Sequence, residues 1–178
     1  MVILSGTNRS GSLTRRVAKA AEAKLVELGV KPIFLDLQEL PPEIFTPGAY
    51  LEKPASFAPF QRIIFEADGL LIVTPEYNGS FPGVLKYFID MLKFPESLKG
   101  LPVGFVGVAA GHFGALRAVE QLTAIVQYRG AHAFGQRIFL HDGGSLNPNG
   151  KLLGNHEYQL RFEALIEGFV KFVRSIRD

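Results

Sequence analysis

The chain has 178 residues, of which 47% are hydrophobic, and its formal net charge at pH 7 is +2. This size and composition predict a single globular domain over residues 1–178 and exclude an intrinsically disordered chain. The sequence contains no cysteine, which excludes disulfides, thiolate catalysis and cysteine-based zinc sites. Because basic and acidic residues are interspersed and no apolar run approaches the roughly 20 residues of a membrane span, we expect neither a nucleic-acid nor a membrane partner. Nothing resembling a signal peptide precedes the first strand, so we expect a cytoplasmic protein.

Short apolar segments alternate with amphipathic helices along the whole chain. Such nearly all-apolar strands are typical of a parallel sheet that helices cover on both faces. The sequence therefore predicts a doubly wound three-layer α/β domain, with a long loop rich in proline and glycine at 38–57 and another loop at 142–155. The predicted strands are 2–5, 33–36, 70–73, 103–109 and 138–140, and the predicted helices are 13–28, 60–67, 82–92, 114–128 and 157–176.

Three loops are candidate parts of a binding site. In doubly wound sheets, ligands bind outside the carboxyl ends of the strands, where the strand order reverses. This rule selects the loops 6–12, 75–81 and 110–114, which follow the first, third and fourth predicted strands.

The first of these loops, with the sequence GTNRSGS, runs directly into a helix. A helix N-terminus offers unpaired N–H groups to an anion, and Thr7, Arg9 and Ser12 add hydroxyls and a positive charge. The loop lacks the Gly-Lys-Ser/Thr of a P-loop and the G-x-G-x-x-G of a dinucleotide site, so we expect a monophosphate that is held as a ligand. The alternative is that the hydroxyls only cap the helix.

The second and third loops have the features of a rigid ligand platform. Pro75 and Pro82 restrict both ends of the second loop, while Gly79 permits turns that a side chain would forbid. The alternative is an ordinary strand-to-helix connection. In the third loop, small residues let the backbone approach a ligand edge, and His112 lies either beside that edge or in solvent.

Together, these loops resemble the NADPH-dependent FMN reductase family of flavodoxin-like proteins. The family motif G-[ST]-x-R-x-x-S is matched from Gly6 to Ser12, and T-P-E-Y-N-x-S-x-P-G-x-L-K is matched at every position over 74–86. A looser motif, G-x-x-G-G-x-R, is matched by Gly111, Gly114 and Arg117, with Ala115 in place of a glycine. Thr14 stands where family members often have asparagine.

The resemblance implies a flavodoxin-like sandwich with strand order 2-1-3-4-5, FMN as cofactor and NADPH or NADH as co-substrate. It implies ping-pong hydride transfer through the flavin to free flavin, a quinone, an azo compound or a metal oxyanion, with no catalytic side chain. Independently of the resemblance, the four histidines show no metal-ligand spacing, so we expect no metal site. The resemblance also implies a homodimer or a dimer of dimers, with the loop 38–57 of one subunit close to the other's flavin. The candidate cofactor-binding residues are Thr7, Arg9, Ser12, Leu13, Thr14, Pro75, Glu76, Tyr77, Asn78, Gly79, Ser80, Gly111 and His112.

Some alternatives remain open at this point. A flavodoxin-like electron carrier would also bind FMN. Flavodoxins usually have strongly acidic surfaces for docking their redox partners, so the net charge of +2 disfavours this alternative. Asp36 is expected on the surface or in a turn, and Arg15 and Arg16 on a solvated helix face rather than at the 2′-phosphate of NADPH. The helix 114–128 carries two apolar stripes, of which one suits the sheet and the other a partner subunit. The first stripe consists of Leu116, Val119, Thr123 and Val126, and the second of Ala115, Ala118, Leu122 and Ile125.

Overall fold

The computed structural model describes residues 1–141 and 156–177. Its five-stranded parallel sheet has the order β2-β1-β3-β4-β5, which confirms the predicted fold. The predicted loop 142–155 lies outside the described residues. No helix in the described ranges is long and apolar enough to cross a bilayer. The strands are β1 (Val2–Ser5), β2 (Ile33–Asp36), β3 (Leu70–Pro75), β4 (Pro102–Ala109) and β5 (His132–His141), and the helices are α1 (Leu13–Glu27), α2 (Ala58–Phe65), α3 (Gly83–Met91), α4 (Leu116–Tyr128) and α5 (His156–Arg177).

Both faces of the sheet are buried, which explains the continuous apolar strands. Successive side chains of a strand point to opposite faces. In β3, Leu70 and Ile72 pack in the core beneath α2, α3 and α4, whereas Leu71 and Val73 pack in the core beneath α1 and α5. Each strand therefore contributes to two hydrophobic cores.

Strand β5 differs most from its predicted length, and helix α4 begins two residues later than predicted. Strand β5 spans ten residues rather than three, because it pairs with β4 from His132 to His141. The first half of this edge strand is largely exposed and lacks an apolar run, so hydropathy detects only its end. Helix α4 begins at Leu116 rather than at residue 114, because Ala115 has a left-handed φ of 71°.

The segment 38–57 is held against the protein by short 3-10 turns. Leu37–Glu39, Pro42–Phe45, Pro47–Tyr50 and Ala55–Phe57 form these turns. Ile44 and Phe57 are buried in the core beneath α2, α3 and α4, and the Tyr87 hydroxyl donates to the Ile44 carbonyl. The predicted long loop is thus anchored to the core.

Candidate functional site

A cavity of about 400 Å³ opens at the carboxyl ends of β1, β3 and β4. It lies at the point where the strand order reverses, because β1 has β2 on one side and β3 on the other. Its volume is within the range of small-molecule and cofactor sites. The cavity is lined by Arg9, Ser10, Gly11, Ser12, Leu13, Thr14, Pro75, Glu76, Tyr77, Val108, Ala109 and Ala110.

The first loop leaves the sheet through a glycine that the packing requires. The Gly6 N–H donates to the Val73 carbonyl at 2.8 Å, which extends the pairing of β1 with β3. A Cβ atom at Gly6 would lie 2.8 Å from that carbonyl oxygen and 3.1 Å from a methyl group of Leu85. The next residue, Thr7, is fully buried, and its hydroxyl accepts from the Arg9 N–H and hydrogen-bonds the Tyr77 hydroxyl at 3.0 Å. The first loop is therefore fixed to the second.

The backbone of the first loop offers a row of hydrogen-bond donors to the cavity. Within the described residues, the N–H groups of Ser10, Gly11, Ser12 and Leu13 make no hydrogen bond. The Ser12 hydroxyl caps α1 by accepting from the Arg15 N–H at 3.2 Å, so the capping interpretation is correct for Ser12. That hydroxyl retains its own hydrogen for donation, because capping uses only its oxygen.

Arg9 adds a positive charge at the rim of this row. Its side chain is exposed, lines the cavity and makes no salt bridge with a residue of the described ranges. Its backbone carbonyl accepts from the Gln38 side chain at 3.3 Å. The loop thus combines free N–H groups at a helix N-terminus with an unpaired guanidinium, a donor set that suits a phosphate.

The second loop contains a tight turn. Tyr77 and Ser80 exchange backbone hydrogen bonds of 2.7 and 3.1 Å, and the two residues between them, Asn78 and Gly79, have φ values of 52° and 78°. This geometry is a two-residue turn of the I′ type, for which Asn-Gly is the preferred sequence. The turn holds Pro75, Glu76 and Tyr77 against the cavity without help from a ligand.

Helix α4 holds the second loop in place. Arg117 donates through Nε to Glu76 Oε1 at 2.8 Å and forms a second bond to the same oxygen through its terminal nitrogen. One turn further, the Gln121 amide donates to the Gly79 carbonyl at 3.2 Å and accepts from the Ser80 hydroxyl. The other oxygen of Glu76 is buried and has no partner among the described residues, and Glu76 lines the cavity. An acceptor is therefore left for a ligand.

The third loop contributes a small residue rather than His112 to the cavity. Ala109 and Ala110 line it at the end of β4, but Gly111 and His112 do not. His112 is exposed, and its ring lies 5.6 Å from the ring of His141 between centroids. Ala115, which replaces a family glycine, has a left-handed φ that glycine adopts without strain.

Seven of the thirteen predicted site residues line the cavity, and Thr7 lies buried beneath it. The turn residues Asn78 and Gly79 and their neighbour Ser80 lie outside the lining and support it. Sequence reasoning omitted Val108 from the candidates, although Val108 pairs in register with Pro75 and lies at the predicted edge. It also missed the role of Gln121, for which the i, i+4 spacing from Arg117 was the available signal. The seven predicted residues that line the cavity are Arg9, Ser12, Leu13, Thr14, Pro75, Glu76 and Tyr77.

Asp36 departs from its prediction in part. It lies in a turn, where its carboxylate accepts from the Gln38 N–H at 3.1 Å, but it is buried rather than on the surface. Its other oxygen accepts from Arg15 Nε at 2.7 Å. Arg15 thus supplies the partner that a buried carboxylate requires. Its side chain stays 47% exposed, so it also lies on a solvated helix face, as expected.

Comparisons with known proteins identify the family of this chain. The family profile of the NADPH-dependent FMN reductases matches residues 1–144. The chain belongs to this family. A 2-hydroxy-1,4-benzoquinone reductase of Burkholderia is 28% identical over 99% of this chain and 97% of its own. A quinone reductase of Pseudomonas putida is 32% identical over 83% of this chain and 84% of its own.

A solved structure supports the fold. The flavoenzyme NAD(P)H:acceptor oxidoreductase FerB of Paracoccus denitrificans superposes with a TM-score of 0.83 at 21% identity and covers 98% of this chain and 96% of its own. Family membership confirms the predicted FMN cofactor, the NAD(P)H co-substrate and the oxidoreductase activity. It favours an enzyme over the electron carrier.

Proposed function

We propose that the cavity binds FMN, with the phosphate group held by the first loop and the ring beside the second. The observation that carries this proposal is the row of N–H groups from Ser10 to Leu13, which have no partner among residues 1–141 and 156–177 and belong to residues that line the cavity beside Arg9. An anion there completes the hydrogen bonds of the loop and interacts favourably with the N-terminus of α1. The Thr7 hydroxyl, which is buried and bonded to Tyr77, fixes the loop rather than acting as a free donor.

The remaining lining suits the ribityl chain and the ring. The second loop presents Pro75, Glu76 and Tyr77, and the buried Glu76 oxygen without a partner accepts a hydrogen bond from a ligand hydroxyl or N–H. Ala109 and Ala110 have small side chains and let the backbone approach the ligand closely. When bound, FMN supplies the hydride chemistry between NAD(P)H and an acceptor. The protein's residues bind and orient the reactants, and no side chain has to transfer the hydride.

Quinones are the acceptor class that we propose first. Two relatives named above are quinone reductases, and the cavity opens to solvent beside the exposed loop 110–113. We assign the reaction to the cytoplasm, where NADPH is regenerated. The test is the oxidation of NADPH and of NADH by purified protein with added FMN and a benzoquinone. We expect turnover that requires both FMN and protein. If neither NADPH nor NADH is oxidised, the proposal is contradicted.

A homodimer is the second part of the proposal. Three aromatic side chains are exposed together where the C-terminal halves of α3 and α4 meet: Tyr50, Phe94 and Tyr128, with exposed fractions of 55%, 60% and 80%. Ile125 of α4 belongs to the same surface. Such a group of exposed apolar side chains marks an interaction surface. The face of α4 that covers the sheet holds residues of both predicted stripes: Ala118, Val119, Leu122 and Val126.

A charge placed on this surface tests the dimer. In Tyr128→Glu, a dimer that uses the surface dissociates, because burying an unpaired carboxylate is unfavourable. The matched control is Val26→Glu, which places the same charge at a 57% exposed position on α1, on the other side of the sheet. Light scattering at micromolar concentration is expected to give a dimer for the wild type and the control and a monomer for Tyr128→Glu. A monomeric wild type contradicts the proposal.

A further inference from the structure

A row of aromatic rings crosses the carboxyl edge of the sheet beside the cavity. The ring centroids of Phe113 and His112 are 6.0 Å apart, and those of His112 and His141 are 5.6 Å apart. His141 is followed by Tyr158, with a centroid distance of 5.9 Å and an edge-to-face arrangement. The Tyr158 hydroxyl and His141 Nε2 are 3.3 Å apart. We call these four side chains the aromatic strip.

The strip begins next to the cofactor cavity. His141 ends β5 and is the register partner of Ala109, which lines the cavity at the end of β4. His112 follows two residues after the lining residue Ala110. Phe113 is 58% exposed and His112 is also exposed, whereas His141 and Tyr158 are half-buried and Tyr158 packs against the core beneath α1 and α5. Each ring of the strip therefore leaves part of its surface to a ligand.

Each end of the strip carries a guanidinium group. Arg117 lies 5.5 Å from the Phe113 ring centroid, and Arg161 lies 5.8 Å from the Tyr158 ring centroid. Arg117 is already paired with Glu76, whereas Arg161 forms no ion pair with any residue of the ranges 1–141 and 156–177. Arg161 therefore leaves a positive charge available at the end of the strip that lies away from Glu76.

We propose that the aromatic strip binds the electron acceptor, and that it selects planar aromatic acceptors that carry an anionic substituent. The rings provide stacking and edge-to-face contacts for a flat molecule. Arg161 provides the partner for its negative group, and the position beside Ala109 brings the acceptor to the mouth of the cavity. This inference rests on the proposed function, because it assigns the acceptor site of the same reaction.

The first test removes the charge of Arg161. In FMN-loaded Arg161→Gln, the KM for a naphthoquinone sulfonate is expected to rise about three- to fivefold, the effect of an exposed ion pair. The KM for menadione, which has the same rings without the sulfonate, is expected to stay unchanged. The matched control is Arg174→Gln, which removes the same charge from α5 about 20 Å along the helix and is expected to leave both KM values unchanged.

The second test removes ring surface. Tyr158→Leu is expected to raise the KM for both quinones by about fivefold, the size of an aromatic pair contact, while oxygen consumption in the absence of quinone stays unchanged. Circular dichroism confirms that the variant is folded. Binding of the naphthoquinone sulfonate to the oxidised holoenzyme, measured by calorimetry without NADPH, is expected to weaken in parallel in both variants.

The outcomes separate this inference from the proposed function. If the wild type oxidises NADPH with quinones but both variants keep wild-type KM values and wild-type binding of the sulfonate, the strip is not the acceptor site. The inference is also wrong if Arg161→Gln affects menadione as strongly as the sulfonate, because the charge is then not recognised. If the wild type with FMN oxidises neither nicotinamide with any acceptor, the proposed function fails and the inference fails with it.

Discussion

The loops after β1 and β3 face the same cavity, but they use their hydrogen bonds in opposite ways. The first loop leaves the N–H groups from Ser10 to Leu13 without partners in the described part of the chain. The second loop closes on itself through two bonds between Tyr77 and Ser80, and Arg117 and Gln121 hold it against α4. The turn of the second loop closes without a ligand and leaves only the buried Glu76 oxygen unpaired among the described residues, whereas the backbone of the first loop is completed by a ligand.

This difference divides the work of binding between the two loops. A loop that is already rigid loses little entropy when the ligand arrives, so the second loop contributes shape and orientation. Free N–H groups and an unpaired guanidinium contribute interaction strength, so the first loop contributes most of the affinity for a phosphate. Substitutions in the first loop should therefore change FMN affinity. Substitutions of Arg117 or Gln121, which hold the second loop, should change the stability of the protein without FMN.

The largest effect is expected at Gly6, where the first loop leaves the sheet. In Gly6→Ala, the new methyl group collides with the Val73 carbonyl and Leu85. We expect the free energy of unfolding to fall by about 1–3 kcal/mol, and FMN binding to weaken because the loop moves. Urea unfolding and FMN titration measure the two effects. Gly48→Ala, where nothing lies within 4 Å, is the control; equal losses in both variants contradict the argument.

Arg9→Gln should separate affinity from stability. Arg9 forms no salt bridge in the described chain, so its loss should leave the free energy of unfolding unchanged. The loss of a charged hydrogen bond to phosphate is expected to raise the Kd for FMN about 10- to 100-fold. Quenching of flavin fluorescence measures this Kd. Riboflavin, which lacks the phosphate, should bind both proteins equally, and Lys31→Gln should match the wild type; a similar loss with riboflavin contradicts the phosphate role.

In contrast to Arg9→Gln, Arg117→Gln should lower the stability of the protein without FMN. Without Arg117, the Glu76 carboxylate remains mostly buried and loses its partner, because its side chain is only 8% exposed. We expect the protein without FMN to lose about 1 kcal/mol of stability, and Glu76→Gln in the same chain to restore part of it. Urea unfolding of the four proteins of this double-mutant cycle measures the coupling between the two residues. Additive effects would show that the ion pair does not hold the loop.

The smallest effect is expected at the link between the loops. Tyr77→Phe removes the hydroxyl that bonds Thr7, while the Thr7 hydroxyl keeps its bond from the Arg9 N–H. We expect a loss of about 0.5–1 kcal/mol in the free energy of unfolding and a change of only a few fold in FMN affinity. Ser56→Ala, which removes an exposed hydroxyl elsewhere on the protein, is the control. A loss as large as that of Gly6→Ala contradicts the ranking.

The contrast between the loops also explains how far the sequence predicts the site. The first loop is local: its N–H groups are free because a helix starts at Leu13, and hydroxyls with an arginine indicate an anion. The turn at Asn78 and Gly79 carries a local signature as well, since both residues tolerate positive φ. The sequence-based prediction of a rigid second loop depends on the flanking prolines together with Gly79.

The features that the sequence does not predict depend on contacts between residues that are far apart in the chain. Arg117 and Glu76 are 41 positions apart, so a single sequence does not predict that they form an ion pair. The burial of Asp36, which we expected on the surface or in a turn, is not predicted because nothing nearby in sequence reveals Arg15 as its partner. Strand β5 is underestimated for a related reason, since it forms by pairing with β4 rather than through an apolar pattern of its own.

A crystal structure of the protein grown with FMN tests the central claim most directly. The account predicts the phosphate within hydrogen-bond distance of the N–H groups of Ser10, Gly11, Ser12 and Leu13 and of the Arg9 guanidinium, with the ring against Pro75 and Glu76. Clear density for FMN at another place on the protein, or a phosphate that points away from the first loop, would contradict it.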